Sequence, residues 1–173
     1  MKLNQFKVLC LIIILVFLFS GCTIWQSHKA KIIEKTTTPD KGKSVAVIIE
    51  DETYKRSSAI EKAEYLEDQK KYYNEVIQKA GITNYEFIKK ENLNNVDKNY
   101  ILIIKVEDWR AYQRESTSIG TTIEADLLVT LIDKKTNNLM VKIAGTANNQ
   151  QLGYNINKII SDLLKEMLQK IYK

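Results

Sequence analysis

The chain of 173 residues contains two cysteines, one histidine and one proline, and these shortages exclude several kinds of chemistry. Cys10 lies within the amino-terminal apolar run, Cys22 directly follows that run, and His28 comes six residues later. Beyond His28 there is neither a thiol nor an imidazole, so a Ser-His or Cys-His nucleophile and a His or Cys zinc site are excluded there. We predict no cofactor and no metal, and the fold has to be stable without disulfides.

Phosphate-binding and nucleic-acid-binding patterns are missing as well. Gly42-Lys43-Ser44 lacks the first glycine of a P-loop and comes before a strand pattern instead of a helix. Lysine dominates the 26 basic residues, which is typical of a solvated surface; the arginines are Arg56, Arg110 and Arg114. The formal net charge of +5 falls to +3 if Lys2 and Lys7 leave with a cleaved leader. We therefore expect no nucleic-acid partner.

The amino terminus has the pattern of an export signal. Lys2 and Lys7 precede the apolar run 8–19, which is too short for a bilayer-spanning helix of ~20 residues. The small residues Ser20 and Gly21 then precede Cys22. This pattern predicts a signal peptide over residues 1–21. An uncleaved anchor and a secreted protein without lipid are the alternatives.

The segment Phe19-Ser20-Gly21-Cys22 resembles the lipobox of bacterial lipoproteins. This resemblance implies that Cys22 receives a diacylglycerol group, becomes the new amino terminus and attaches the protein to the membrane. Each methylene of an acyl chain contributes ~0.8 kcal/mol to such an anchor. By analogy with Gram-negative sorting, Thr23 after the cysteine implies an outer-membrane protein that faces the periplasm.

The region between Cys22 and residue 43 shows no sustained helical or strand periodicity and contains the only proline, Pro39. We predict that residues 22–43 form the lipidated cysteine and a flexible tether. Trp25 is expected either at the membrane interface or disordered. Residues 44–173 are long enough for a single domain with one core.

Apolar periodicity predicts an α+β fold for this domain. Strand patterns occupy Ser44–Ile49, Ile82–Phe87 and Tyr100–Trp109, and a helix that begins at Ser58 is expected to end at Gly81. Strict alternation from Thr121 to Leu131, a polar turn and a return strand from Leu139 predict a hairpin. In that turn, Asn137 or Asn138 is expected to adopt the left-handed conformation.

An amphipathic stripe from Ile156 to Ile171 predicts a last helix. The element order is therefore β-α-β-β-β-β-α. We expect a mixed four- to five-stranded sheet with two helices packed on one face.

Two groups of residues are candidates for a functional site. The partner-binding candidates, of types enriched at interfaces, are Trp109, Arg110, Tyr112 and Arg114. Trp109 alternatively closes the end of the core. Glu124 and Asp126 share a strand face and form a candidate acid pair for glycan hydrolysis, or simply face solvent.

The strand Tyr100–Trp109, the segment Ala125–Asp133 and the turn Thr136–Leu139 are similar to small envelope lipoproteins whose domain is like the amino-terminal domain of TolB, a group that includes LpoB. Asn137 and Asn138 depart from the glycine of that group's turn. The resemblance implies a non-enzymatic accessory module of envelope assembly or transport that binds a protein or envelope component. A cell-wall glycan hydrolase using Glu124 and Asp126, or a plasmid or phage exclusion lipoprotein, is the alternative.

Overall fold

The computed structural model describes residues 23–51, 59–112, 121–151 and 156–173. Six strands and two long helices occur in these ranges, and a short 3-10 helix over Lys90–Asn95 links the third and fourth strands. The elements are β1 (Thr23–Lys35), β2 (Val45–Asp51), α1 (Ala59–Lys79), β3 (Tyr85–Phe87), β4 (Tyr100–Tyr112), β5 (Thr121–Asp133), β6 (Asn138–Gln151) and α2 (Ile156–Ile171).

All six strands form one mixed sheet in the order β1-β6-β5-β4-β2-β3. β2 is parallel to both of its neighbours, β3 and β4, whereas the β4-β5, β5-β6 and β6-β1 pairs are antiparallel. β3, a short strand at one edge of the sheet, lies within the predicted strand Ile82–Phe87. The α+β class is confirmed, but the prediction of four to five strands is wrong by at least one strand.

The additional strand comes from residues that the sequence analysis placed in a tether. Thr23–Lys35 forms β1 and pairs antiparallel with β6 from Gln151 to Val141. β1 shows no clear alternation because it is an edge strand, with one neighbour and little burial: Ile32 and Ile33 are 41% and 54% exposed. The tether prediction is therefore wrong for Thr23–Lys35, since backbone pairing with β6 orders a segment whose side chains give no strand signal.

The core lies between one face of the sheet and the two helices, which pack against each other. Residues from alternating positions of β4, β5 and β6 are almost fully buried there, among them Leu102, Ile104, Leu127, Val129 and Ile143. Leu163, Leu164 and Met167 of α2 complete this layer. The prediction that both helices lie on one face agrees with this single shared core.

Two turns take the backbone conformations that the sequence predicts. Gly81 follows α1 with φ at +86°, and the N–H of Ile82 donates to the carbonyl of Ile77 at 3.3 Å, which closes the helix end. Asn137 has φ at +55° in the β5-β6 turn. Ser58, the predicted amino-terminal cap of α1, lies outside the described residues.

Candidate functional site

The sheet face opposite the helices is the candidate site, and we call it the open face. Neither of the two long described helices packs on it, and most of its described side chains are half-buried or exposed, whereas Ile101 and Thr122 on this face are both 5% exposed. Strand register brings together residues that are far apart in sequence. The open face of the three central strands includes Ile101, Ile103, Lys105, Asp108, Arg110, Thr122, Glu124, Asp126, Leu128, Thr130, Ile132, Lys142, Ala144, Thr146 and Asn148.

One half of the open face is charged. Asp108 pairs directly with Asp126 across β4 and β5, next to an irregularity in the register after Val106. Two carboxylates in cross-strand register repel each other. The Nε of Arg110 lies 3.3 Å from the Asp108 carboxylate and reduces that repulsion. In the charged half, the Arg110 guanidinium therefore forms an ion pair with Asp108 and also attracts the carboxylate of Asp126.

The acid pair predicted from the sequence lies in this charged half. Burial raises the pKa of Asp126, while the charge of Arg110 lowers it and the acids around it raise it further. The carboxylate of Glu124 accepts a hydrogen bond at 3.0 Å from the amide Nδ2 of Asn148. A carboxyl with a raised pKa is a better proton donor near neutral pH, so Asp126 has one property of a general acid.

A hydrolase also needs a cleft that holds its glycan. Two depressions among the described residues lie at the β5-β6 turn end of the sheet, and neither includes Glu124 or Asp126. The acid pair instead lies on a broad sheet surface.

The other half of the open face is apolar. Leu128, Ile103 and Ile132 are half-buried and lie outside the core that the two long helices cover, and Ile101, in register with Ile132, is 5% exposed. Leu128 lies in register between Lys105 of β4 and Ala144 of β6. Apolar side chains bordered by lysines are typical of a protein-binding patch, because the lysines keep the free surface soluble.

The structure separates the partner-binding candidates. Trp109 packs against the core on the helix side, which agrees with the alternative that it closes the end of the core. Arg110 is exposed on the open face, so two neighbouring candidates point to opposite sides of β4. The backbone of Tyr112 ends β4, but its side chain lies outside the described residues, as do Arg114 and Cys22.

Other charged groups have structural partners. Glu50 forms an ion pair with Lys90 at 2.7 Å, and this contact raises the pKa of Lys90. Lys98 lies 3.5 Å from Glu86, and the ammonium of Lys134 donates to the carbonyl of Val96. Within the described ranges, no group of three or more His, Cys, Asp or Glu residues is arranged to hold a metal ion.

A contact that the sequence analysis missed protects the free edge of β1. The N–H of Ala30 donates to Glu166 of α2 at 3.3 Å, and the ammonium of Lys170 donates to the carbonyl of Ala30. Glu166 and Lys170 also form an ion pair at 2.9 Å, which holds the pKa of Glu166 below its ordinary value. We call this arrangement the edge clamp. Its only sequence signal is a Glu-Lys pair four residues apart on a helix.

Solved structures with a similar fold are found for this chain, but no protein family matches it. No protein-family model matches the chain, and no curated protein matches its sequence. PelC from Paraburkholderia phytofirmans, solved as a dodecamer, has a similar structure, with a TM-score of 0.60 and 15% identity over 85% of this chain and 97% of that chain. At this identity the likeness shows a shared fold.

Bacterial lipoproteins are among the other similar structures. The lipoprotein GNA1162 from Neisseria meningitidis aligns with a TM-score of 0.43 and 9% identity, over 74% of this chain and 97% of that one. A minor lipoprotein from Acinetobacter baumannii aligns with a TM-score of 0.35 and 11% identity, over 73% and 90% of the two chains. Across the described residues, no helix combines the length and hydropathy needed to cross a membrane.

Proposed function

We propose that this protein is a non-enzymatic lipoprotein of the bacterial envelope, attached through Cys22, which binds a protein partner with the open face of its sheet. In this proposal the partner is a second copy of the chain, so the working form is a homo-oligomer. The LpoB-like resemblance and an outer-membrane position facing the periplasm are finer parts of the same proposal. Trp109 supports the site from the core side, while Arg110 contributes directly to the surface.

The observation that carries the proposal is the apolar half of the open face. The chain leaves half-buried leucine and isoleucine side chains on a face that its own described helices do not cover. Burial of apolar surface against a partner contributes roughly 25 cal/mol per Å², so such a face favours association. The fold shared with PelC, a protein whose crystals contain a dodecamer, supports a second copy as the partner.

Photo-crosslinking in living cells tests the proposed surface. A photoreactive amino acid at position 128 lies on the open face, and the same amino acid at exposed Lys165 of α2 is the matched control. We expect adducts of twice the chain mass from position 128 and none from position 165. Equal adducts from both positions, or none from position 128, would rule out the open face as the binding surface.

Two further measurements test the rest of the proposal. Mass spectrometry of the mature protein is expected to show acyl chains on Cys22, and an unmodified thiol there contradicts the lipid anchor.

Purified peptidoglycan is expected to remain intact when it is incubated with the protein. Turnover that is lost in Glu124→Gln would instead support the glycan hydrolase, whereas turnover retained in that variant would indicate a contaminant.

A further inference from the structure

We propose that the Thr23 end of the sheet rests directly on the lipid headgroups, so that the domain stands on the membrane without a spacer. This inference rests on lipidation of Cys22, which is part of the proposed function. It goes beyond that function because it fixes which end of the domain contacts the membrane and which end faces the periplasm.

The first argument is covalent. Thr23 directly follows Cys22, and consecutive Cα atoms lie ~3.8 Å apart. Thr23 is already the first residue of β1 and is in register with Gln151 of β6. Gln151 is in register with Thr121 of β5. A lipid on Cys22 therefore brings this row of three strand ends to the bilayer surface.

The second argument is that β1 is firmly held by the domain. It pairs with β6 along nearly its whole length, and α2 holds its free edge through the edge clamp at Ala30. Farther along, the ammonium of Lys35 donates to the carbonyl of Ile171 at 3.4 Å. Turning β1 into a flexible tether would break all of these contacts, so the anchor and the domain move together.

The third argument is the distribution of charge along the strands. In the sequence, no charged residue occurs in the stretches 23–27 of β1, 111–112 of β4, 121–123 of β5 and 149–151 of β6; the segment 113–120 that joins β4 to β5 contains Arg114 and Glu115 and lies outside the described residues. These stretches contain hydroxyl, amide, apolar and aromatic residues, including Trp25. Indole rings and uncharged polar groups are well suited to the headgroup region.

The opposite end of the sheet is highly charged. Asp133, Lys134 and Lys135 begin the β5-β6 turn, and Lys43, Asp97 and Lys98 line the depression beside it. β1 contains 13 residues, and strands rise ~3.3 Å per residue, so its Lys35 end stands ~40 Å from Thr23. The charged turn thus faces the periplasm, and the open face stands perpendicular to the bilayer, where neighbouring anchored copies can meet it.

The two tryptophans make this orientation measurable. Trp25 lies two residues from Thr23, whereas Trp109 is in register with Ala125, which pairs with Ala147 and through it with His28. Trp109 is therefore about five strand residues, or ~17 Å, from the Thr23 row. The lipidated full chain is reconstituted into vesicles of phosphatidylethanolamine and phosphatidylglycerol that contain brominated acyl chains. Trp109→Phe leaves Trp25 as the only tryptophan, and Trp25→Phe leaves Trp109.

We expect the brominated lipids to quench Trp25 at least threefold more strongly than Trp109. A matched control with ten Gly/Ser residues inserted between Cys22 and Thr23 is expected to lose most of the Trp25 quenching. Equal quenching of both tryptophans would mean that the domain lies flat, and no quenching of either would mean that it stands away from the bilayer; each result overturns the orientation. Mass spectrometry of the same sample separates these failures from a missing lipid, which would overturn the proposed function as well.

Discussion

The two faces of β5 differ sharply although they alternate along one strand. Leu127 and Val129 are 1% and 0% exposed beneath the helices, whereas Asp126 and Leu128 are half-buried on the open face. The helix-covered face buries apolar area that stabilises the fold. The open face carries side chains of similar size that the two long helices do not cover. The comparison separates residues that hold the domain together from residues available to a partner.

The largest expected difference is between neighbouring leucines. Leu127→Ala leaves a cavity in the core and is expected to lower the free energy of unfolding by about 2–5 kcal/mol. Leu128→Ala removes only half-buried surface and is expected to cost less than about 1 kcal/mol. Urea unfolding of both variants measures the contrast. Similar losses at the two positions would show that the open face is covered in the free protein.

The close approach of α2 to β6 gives the second test. A Cβ built on Gly145 would lie 2.7 Å from the Sδ of Met167 and 2.9 Å from the Cδ1 of Leu163. We expect Gly145→Ala to reduce stability by about 1–3 kcal/mol because the tightly packed side chains of Met167 and Leu163 have to shift. Gly42→Ala is the control, since its Cβ would meet only Asp40, at 3.4 Å. A thermal melt in which both alanine variants match the parent would refute this close packing.

The edge clamp predicts a smaller, pH-dependent effect. The hydrogen bond from Lys170 holds the pKa of Glu166 below its ordinary value, so the ionised carboxylate stabilises the folded state. This contribution is present above the unfolded pKa and is lost as pH falls through the folded pKa. We expect Glu166→Gln to cost less than about 1 kcal/mol at pH 7 and progressively less as the pH falls through the folded pKa of Glu166. A constant difference across this range in urea titrations would argue against the ion pair.

The smallest expected effect on stability concerns Asp126 on the open face, and its pH dependence has the opposite sign to that of Glu166. Burial raises the pKa of Asp126, so ionisation of its carboxylate disfavours the folded state. The stability cost is absent below the unfolded pKa and appears as pH rises through the folded pKa. Asp126→Asn is therefore expected to stabilise the protein at pH 7, by less than about 1 kcal/mol, but not below pH 3. Exposed Asp97→Asn is the control, and a stabilisation equal to that of Asp126→Asn would point to a general charge effect.

Strong periodicity made most of the fold predictable from the sequence. The helix over Ile156–Ile171, the hairpin of β5 and β6, and the turns at Gly81 and Asn137 all follow local rules of spacing and backbone conformation. β1 was missed because an edge strand is specified by backbone pairing with β6, and its side chains remain largely exposed. Local sequence patterns cannot reveal a partner strand more than 100 residues away.

The candidate site was predictable only in part. Glu124 and Asp126 share a face as the alternation predicts, but their closeness to Asp108 and Arg110 depends on the β4-β5 register. Strand alternation separates Trp109 from Arg110, but the irregularity after Val106 decides that Trp109 faces the helices and Arg110 the open face. Nothing local in the sequence specifies this shift.

The mass of the purified assembly tests most directly the claim that the open face is the working surface. Native mass spectrometry of the lipidated full chain, released from detergent, is expected to show several copies per particle. Leu128→Lys is expected to reduce that mass to a single copy, whereas Lys165→Glu on α2 leaves it unchanged. A single copy for the parent protein, or an assembly that persists in Leu128→Lys, would contradict the account.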